Sequence, residues 1–289
     1  AVMVYEIIYL KLLSTFAQVL KILDVEDALR FIYRSRKNSI IRENGKYPEF
    51  FDILCDEIDF EGIGFEPEDI AEMHKRLPKM KRLKTPVKKL SGRIEEMHRY
   101  LDYRDEMFKA CSAFTASLKS VLLKLGKEMQ SENVLSKAED ILYFETGEIY
   151  NFINDNFYGN IPLTLYHRKT SMERMRSQLT PYEIYEKDIE NIPSIVQNFV
   201  EKKRESFDCM SFFHKETITD PALVRTGGLG DVMKTVQKDG AIAETASMFS
   251  FLTEYCATAD KPLYTGVRFA PVMLEGKSVK CEKDRIIYE

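Results

Sequence analysis

The chain has 289 residues, of which 44% are hydrophobic and 30% are charged. This balance is typical of a globular protein and argues against long disorder, and the length is sufficient for more than one domain. The 42 basic and 46 acidic residues give a net charge of −4, so no electrostatic surplus exists to hold the chain on nucleic acid or on an anionic bilayer.

The first residues are rich in apolar side chains and raise the question of a membrane span. Glu6 and Lys11 interrupt this run well before the roughly 20 uncharged residues that a spanning helix needs. We see neither a basic leader nor a small-residue cleavage site. We therefore predict a buried helix at the start of the chain and no association with a membrane.

From there to about Arg204 the apolar residues mostly recur with a helical period. Gly126 follows the clearest stripe, where we expect either a C-terminal glycine or a tight contact between segments. The stripe predicts a helix that packs on other helices. It comprises Met107, Cys111, Phe114, Leu118, Val121 and Leu125.

Helix starts have signals of their own. Ser136 and Glu139 have the spacing of a capping box. Thr180 and Pro181, followed by Glu183, combine an N-cap hydroxyl, a proline at the first helical position and a carboxylate at the third. Each hydroxyl is expected to accept a hydrogen bond from an otherwise unpaired backbone N–H.

Two seams divide the sequence. One lies at residues 83–87, where Pro86 interrupts the helical pattern, and the other lies at residues 205–208. The divisions are an N-terminal helical region at 1–87, a helical segment at 88–205 and a C-terminal domain at 206–289.

The C-terminal division has a different character from the rest. Glycines gather there, and short runs favour strands at Leu263–Val267 and at Ser278–Tyr288. The second run is broken by a charged turn at Lys283 and Asp284. The predicted fold class is therefore mostly α, with a small C-terminal α/β domain.

Residues with catalytic potential do not cluster in the sequence. The five cysteines form no CxxC pair and the four histidines lie far apart, which predicts reduced thiols in a cytosolic protein and no local metal site. The run from Gly227 to Gly230 lacks the Gly-Lys-Ser/Thr ending of a P-loop, so we favour a plain turn over a phosphate loop. Glu145 and Glu148 are either paired carboxylates or solvated helix residues.

The order of features near the C-terminus carries a resemblance to a known family. A run from Asp239 to Phe251 is followed by Pro262, by Gly266-Val267 and by residues 274–279. This order resembles the phosphohistidine, or swivelling, domain of the phosphoenolpyruvate-utilising enzymes, which include phosphoenolpyruvate synthase, pyruvate phosphate dikinase and rifampicin phosphotransferase. In that family a Thr-x-Gly-Gly-x-Thr-Ser-His loop supplies the phosphate-accepting histidine, and a proline and a Gly-Val strand come just after it.

A second set of residues looks like the helical segment that precedes the swivelling domain in the same enzymes. It comprises Arg104-Asp105, Leu125-Gly126-Lys127, the residues from Lys137 to Phe144, Glu148-Ile149 and Arg168-Lys169. The two sets occur in the family's order and cover roughly residues 88–289, whereas the earlier residues match only in being helical. The resemblance implies a swivelling-type α/β domain at 206–289.

The chain departs from the family at the position that carries its chemistry. The equivalent of the phosphate loop comprises Thr245, Ala246, Ser247, Ser250 and Phe251, and the family's two glycines fall on Ala246 and Ser247. The family's histidine falls on Phe251. An imidazole nitrogen can hold a phosphoryl group, whereas a benzyl ring has no lone pair to offer. The resemblance therefore implies no catalytic residue, with His214 as the candidate for a substitute.

These residues predict a non-catalytic relative of the family, an interaction or regulatory module that docks on a protein partner with an ATP-binding domain. We find no counterpart of the family's ATP-grasp module before the helices or of its phosphoenolpyruvate-binding barrel after them. The alternative is a subunit or fragment of an active ATP- or phosphoenolpyruvate-dependent phosphotransferase that uses His214 or His167, so whether the chain is an enzyme stays open. A third interpretation is a helical scaffold with a chance resemblance. We predict no cofactor, no metal and no nucleic-acid partner.

Overall fold

The computed structural model describes residues 2–49, 53–54, 57–60, 62, 64–76, 87–154, 159–177, 186–191, 194, 197 and 206–288. Three predictions fall outside this part of the chain. They are the helix start at Thr180 and Pro181, the interruption at Pro86, and Glu205 at the second seam.

Within the described residues the chain is mostly helical with small sheets, as predicted. Two 3₁₀ helices cover Ala138–Tyr143 and Glu186–Asn191. The α-helices are α1 (Val2–Leu20), α2 (Val25–Arg34), α3 (Ile70–Arg76), α4 (Val87–Ser131), α5 (Thr146–Ile153), α6 (Ile161–Ser177), α7 (Leu229–Thr235), α8 (Phe251–Ala259) and α9 (Ala270–Met273).

The described strands form three small sheets. A two-stranded sheet contains β1 (Gly45–Pro48) and β2 (Glu57–Phe60). An antiparallel sheet has the order β3-β9-β8, from β3 (Ser206–Asp208), β8 (Val279–Cys281) and β9 (Arg285–Tyr288). The largest has the order β4-β7-β6-β5, from β4 (Met210–Phe212), β5 (Pro221–Val224), β6 (Gly240–Ala243) and β7 (Leu263–Thr265).

The C-terminal residues form an α/β fold around the four-stranded sheet. Strands β5, β6 and β7 are parallel, with α7 and α8 in the connections, and β4 runs antiparallel at one edge. All four residues of β6 are buried, which suits a central strand covered on both faces. The predicted strand at Leu263–Val267 is confirmed as β7, and the run at Ser278–Tyr288 is confirmed as β8 and β9 with a turn between them.

The chain divides into two compact units. Unit 1 contains Ala1–Gly45, Asp59–Met107 and Pro181–Glu289, and unit 2 contains Lys46–Ile58 and Phe108–Thr180. All three regions predicted from the sequence contribute residues to unit 1. The predicted division at 87 and 205 itself stays a prediction.

Helix α1 is only partly the buried helix that the sequence predicts. Phe16 and Val19, in its second half, are buried, and the ring of Phe16 meets that of Phe249 edge-on at 5.1 Å between centroids. Val4 and Leu10, in its first half, stay 56% and 64% exposed because no described element covers them. No described helix combines the length and hydropathy that crossing a membrane requires.

Helix α4 contains the predicted apolar stripe, but the predicted packing of that stripe is wrong. Phe114 is 69% exposed and Val121 is 62% exposed. The described core of unit 2 contacts α4 through Leu122, Leu125 and Met129 instead. That core therefore covers a different face of the helix, and of the stripe only its last member reaches it.

The capping box predicted at Ser136 and Glu139 is also wrong. The 3₁₀ helix that starts at Ala138 has Lys137 at its N-cap position, and no side chain caps it. A side chain caps a different helix, α5, at whose start the carboxylate of Glu148 accepts a hydrogen bond from the backbone N–H of Glu145 at 2.8 Å. The acid there is three residues after the cap, as capping geometry requires.

Gly126 lies inside α4 and marks a tight contact. The helix continues to Ser131, so Gly126 is not a C-terminal glycine. A Cβ atom at this position would overlap the carbonyl oxygen of Ala138, where the chain returns along the helix. Of the two expectations for this residue, the tight contact is confirmed.

Gly126→Ala is expected to destabilise the protein by about 1–3 kcal/mol, although alanine favours helix, because the added methyl group meets backbone atoms that cannot move aside. Gly147→Ala is the matched control in the same unit, since nothing lies within 4 Å of its would-be Cβ. That change should be neutral or stabilise by up to about 1 kcal/mol. Urea unfolding of both variants measures the difference, and equal stabilities would contradict the contact.

Candidate functional site

Three loops meet at one edge of the four-stranded sheet. Strands β5, β6 and β7 run parallel, so the loops that follow them, residues 225–228, 244–250 and 266–269, leave the sheet on the same side. The start of β4 lies at this edge as well, because Met210 pairs with Thr265. In open α/β sheets ligands bind outside the carboxyl ends of the strands, which makes this edge the candidate site.

The predicted equivalent of the phosphate loop lies at this edge. The loop after β6 contains Thr245, Ala246 and Ser247. Ser250 is the N-cap of α8, and its hydroxyl oxygen accepts a hydrogen bond from the backbone N–H three residues later. Phe251 is the first residue of α8, at a junction between loop and helix.

The ring of Phe251 is buried beneath an arginine. Its side chain is 8% exposed, and the guanidinium carbon of Arg104 lies 4.2 Å from the ring centroid. Arg104 also donates a hydrogen bond to the carbonyl of Phe249 at 2.6 Å, which fixes the cation over the loop. A cation at this distance is attracted by the face of the ring. The position at which the sequence predicts no phosphate acceptor is therefore occupied by an inert ring beside a positive charge.

Two backbone N–H groups around the loop have partners elsewhere in the domain. The N–H of Ala246 donates to Oγ1 of Thr265 at 2.6 Å, and the N–H of Leu252 donates to the carbonyl of Gly227 at 3.0 Å. A Cβ atom at Gly227 would lie 2.8 Å from the side chain of Ser250, so the two loops are in close contact. A phosphate at a helix N-terminus needs N–H groups that point at it, and these groups point elsewhere.

The glycine-rich run forms a turn into α7. Gly228 is the N-cap residue of that helix. The N–H and the hydroxyl of Thr226 both donate to Oδ2 of Asp231, at 2.9 and 2.8 Å. A carboxylate of the chain thus takes the hydrogen bonds of Thr226 inside this turn, which favours the plain-turn interpretation of Gly227 to Gly230.

A cleft of about 690 Å³ opens at the same edge, lined by residues 208–210, the loop at 244–247 and Arg268. The side chain of Glu244 is only 10% exposed, and its Oε1 lies 3.6 Å from Nε of Arg225, which is too far for a normal hydrogen bond. Burial raises the pKa of Glu244, while Arg225 and Arg268 oppose that rise. The cleft therefore contains a carboxyl group that keeps its proton to higher pH than usual.

A buried cluster of charges lies beneath the loop at 244–250. Arg36, which is 1% exposed, donates to both carboxylate oxygens of Glu254 at 3.0 and 3.1 Å. Arg104 donates to the same carboxylate at 2.5 Å, and the hydroxyl of Ser39 donates to it as well. Arg36 also pairs with Asp105 on α4 at 3.0 Å. The cluster connects the loop that follows α2 with helices α4 and α8 through hydrogen bonds.

The charges in this cluster stabilise one another. Burial by itself raises the pKa of Glu254, but Arg36 and Arg104 lower it to about 2. Burial likewise lowers the pKa of Arg36, and Glu254 and Asp105 raise it above its usual value. The cluster therefore stays ionised at neutral pH. Breaking such a buried pair typically costs about 3–5 kcal/mol, because the remaining charge loses its partner.

His214 does not lie beside the loop at 244–250. It follows the end of β4 that pairs with Leu263, the first residue of β7, whereas the loop leaves from the other end of the parallel strands. Its Nδ1 lies 2.8 Å from the hydroxyl of Tyr264. His214 and the loop at 244–250 therefore lie at opposite ends of the strands, and the structure does not bring His214 next to Phe251.

Four charged residues from the helical segment form two ion pairs in unit 2. Arg168 donates to both carboxylate oxygens of Glu148, at 2.5 and 2.8 Å. Lys169 pairs with Asp140, whose side chain is 5% exposed. Glu148 thus binds an arginine, and the carboxylate of Glu145, which is 82% exposed, lies 3.7 Å from the same guanidinium group. These pairs tie α6 to the 3₁₀ helix and to α5.

Sequence reasoning missed Arg36, Ser39 and Glu254. Arg36 and Glu254 are 218 positions apart, so no local pattern links them. One signal was available: Glu254 interrupts the otherwise apolar start of α8, and a charge on a buried helix face needs a partner.

Comparison with known proteins adds no relative to this description. No protein-family model matches the sequence, and no curated protein matches it either. Among the described residues, no group of three His, Cys, Asp or Glu side chains converges as a metal ion requires. The chemistry of the site therefore has to be inferred from its own residues.

Glu254→Gln is expected to lower the free energy of unfolding by about 3–5 kcal/mol at pH 7, because Arg36 and Arg104 lose the buried carboxylate that they share. The folded-state pKa is depressed, so the contribution of Glu254 is present at neutral pH and is lost as the pH falls from about 4 to about 2. The difference between wild type and variant should shrink over that range in urea titrations. The control is Glu96→Gln, which removes an exposed pair with Arg93 and should cost less than about 1 kcal/mol.

Glu244→Gln is expected to behave in the opposite way. Burial raises the folded-state pKa of Glu244, so its contribution to stability is present at low pH and is lost as the pH rises through that pKa. The neutral amide should therefore make the variant as stable as wild type, or more stable by up to about 1 kcal/mol, at pH 7. The gain should vanish below about pH 4. A loss at pH 7 as large as that of Glu254→Gln would contradict this account of the cleft.

Proposed function

We propose that the chain is a non-catalytic relative of the phosphoenolpyruvate-utilising phosphotransferases and acts as an interaction or regulatory module. In this proposal residues 206–288 correspond to the swivelling domain of that family. The partner is a protein with an ATP-binding domain, in a reducing compartment such as the cytosol, where the scattered thiols stay reduced. The chain itself carries no phosphoryl group.

The observation that carries the proposal is the state of residue 251. Phe251 is the first residue of a helix that follows a loop at the carboxyl edge of parallel strands, where the family's motif puts its histidine. The ring has no lone pair to attack phosphorus, and Arg104 covers its face. Nucleophilic catalysis at this position is therefore excluded by the side chain itself.

The hydrogen bonds of the loop support the same conclusion. The N–H groups of Ala246 and Leu252 donate to other parts of the domain, and Ser250 is engaged in capping α8. A phosphate that approached the loop would have to displace these bonds. A buried donor that loses its partner costs about 1–3 kcal/mol, so the loop has been closed and not merely deprived of its imidazole.

The buried charge cluster supports a fixed domain. A carrier domain has to leave one active site and reach another, which requires a weak contact with its surroundings. Here α8 is held by the two arginines that bind Glu254, and the hydroxyl of Tyr33 donates to the carbonyl of Met248 at 2.7 Å. Releasing α8 would expose or orphan buried charges. The α/β part of unit 1 is thus better suited to present a surface than to move.

The alternative, a working piece of a phosphotransferase, needs a different acceptor. His214 lies at the opposite edge of the sheet from the loop and contacts Tyr264. His167 lies in unit 2, where its ring meets that of Tyr166 edge-on at 5.7 Å between centroids. No described feature favours either histidine. The α/β fold of residues 206–288 counts against the third interpretation, a helical scaffold with a chance resemblance.

Phosphoryl transfer to the chain tests the proposal directly. The full chain is incubated with γ-labelled ATP and, separately, with labelled phosphoenolpyruvate, with an active phosphoenolpyruvate synthase as positive control. Wild type should stay unlabelled. Phe251→His should also stay unlabelled, because the surrounding N–H groups have other partners.

The alternative gives a distinct result in the same assay. Acid-labile label on wild type that disappears in His214→Asn or His167→Asn would show a working acceptor and overturn the proposal. Label on Phe251→His alone would show that the loop still binds phosphate, and only the claim of a closed loop would then fall.

A further inference from the structure

The cleft at the carboxyl edge of the four-stranded sheet contains a carboxyl oxygen without a hydrogen bond. Oε1 of Glu244 is shut off from solvent and has no hydrogen-bond partner among the described residues. The side chain as a whole is only 10% exposed. Burying a carboxyl group without a partner lowers stability, so such a group in a cleft marks a candidate binding site.

A ligand in the cleft can reach this carboxyl group. The backbone of Glu244 is fixed, because its N–H donates to the carbonyl of Val224 and its carbonyl accepts from the N–H of Gly266. Its side chain lines the cleft of about 690 Å³, and the last torsion of a glutamate is broad enough for the carboxyl group to turn towards a donor. Sites for small molecules typically measure about 300–1,000 Å³. The cleft therefore has room for a small organic molecule.

Positive charges lie beside this acceptor. Arg268 lines the cleft, and Nε of Arg225 lies 3.6 Å from Oε1 of Glu244. Both cations oppose the rise that burial causes in the pKa of Glu244. Asp208 also lines the cleft, but it is 93% exposed and pairs with Arg285 at 3.8 Å. A ligand thus meets a buried acceptor and cationic donors side by side.

This arrangement favours a ligand that carries charges of both signs. An anion alone, such as phosphate, leaves Oε1 of Glu244 without a donor, and a cation alone lies beside two arginines. An ammonium group and a carboxylate on the same carbon atom provide a donor and an acceptor next to each other. The opposite charges of Glu244 and Arg225 are neighbours in the same way.

The rest of the lining is suited to an apolar group. Met210, at the start of β4, is 55% exposed, and Ala246 lines the cleft as well. Gly266 leaves free space, since no atom lies within 4 Å of the Cβ that another residue would carry there. An apolar side chain on the ligand would cover these residues without leaving a polar group unpaired.

We propose that the cleft binds a free α-amino acid with an apolar side chain, such as leucine or methionine. The ammonium group of the ligand donates to Glu244, and its carboxylate accepts from Arg268. The ligand thus supplies the hydrogen bond that the buried carboxyl group lacks. This role rests on the cleft alone and goes beyond the proposed interaction module.

Isothermal titration calorimetry of the full chain at neutral pH tests the proposal. Leucine or methionine should bind saturably, one molecule per chain, with a dissociation constant below about 1 mM. Isocaproate, which is leucine without its ammonium group, should bind at least about tenfold more weakly because the contact with Glu244 is lost. Leucinamide, which lacks the carboxylate, should bind at least about tenfold more weakly because the contact with Arg268 is lost.

Variants of the two charged residues should reproduce these losses. Glu244→Gln should weaken leucine binding at least about tenfold and leave isocaproate within about twofold. Since this variant is expected to be as stable as wild type, unfolding does not account for the loss. Arg268→Gln should weaken leucine at least about tenfold and leave leucinamide within about twofold, which also shows that the cleft is intact.

The matched control removes the same charge at the other end of the strands. Glu216 is exposed and follows the end of β4 that pairs with Leu263, away from the cleft. Glu216→Gln should leave the dissociation constant for leucine within about twofold of wild type. Thermal unfolding confirms that each variant is folded.

Four outcomes would overturn the proposal: no binding of any apolar amino acid, isocaproate as tight as leucine, leucinamide as tight as leucine, or wild-type affinity in Glu244→Gln. Tight isocaproate would identify a site for plain carboxylates, and tight leucinamide a site for the N-terminus of a peptide. The result is distinct from that of phosphoryl transfer, since labelling reports on residue 251 and calorimetry reports on the cleft.

Discussion

The structure of unit 1 depends on one buried carboxylate. Glu254 lies between Arg36 and Arg104, and each of these cations also contacts α4 or its aspartates. Ions buried this far from water are tolerated only when their partners are in place, so the cluster fixes the relative positions of α2, α4 and α8. Helix α2 also contacts α8 directly, and its Tyr33 donates a hydrogen bond to the carbonyl of Met248 in the loop before α8.

The same cluster determines what the carboxyl edge of the sheet can do. Arg104 binds Glu254 on one side and covers the ring of Phe251 on the other. The cation that would be available for a phosphate is thus used within the protein, and so are the N–H groups of Ala246 and Leu252. A ring without a lone pair and a helix held by buried ion pairs are the observations on which the proposal of a non-carrier domain rests. The cleft beside it keeps a buried carboxyl group, Glu244, in a site still open to solvent.

Unit 2 is stabilised differently. Its charges form pairs near the surface, from Arg168 to Glu148 and from Lys169 to Asp140, and these tie its short helices together. Its part of α4 leaves the side chains of Phe114, Leu118 and Val121 exposed. Exposed apolar surface of this kind is typical of interaction sites in soluble proteins.

The sequence by itself determined the features that depend on neighbouring residues. The strand at Leu263–Thr265 and the hairpin around Lys283 follow from local propensity. That the side chain of Phe251 cannot accept a phosphoryl group also depends only on the residue type. Tertiary structure alone decided that Glu254 meets Arg36 and that the stripe on α4 faces water. Periodicity shows that a helix has an apolar side, but which side is covered depends on segments far away in the chain, because burial is a property of the whole packed structure.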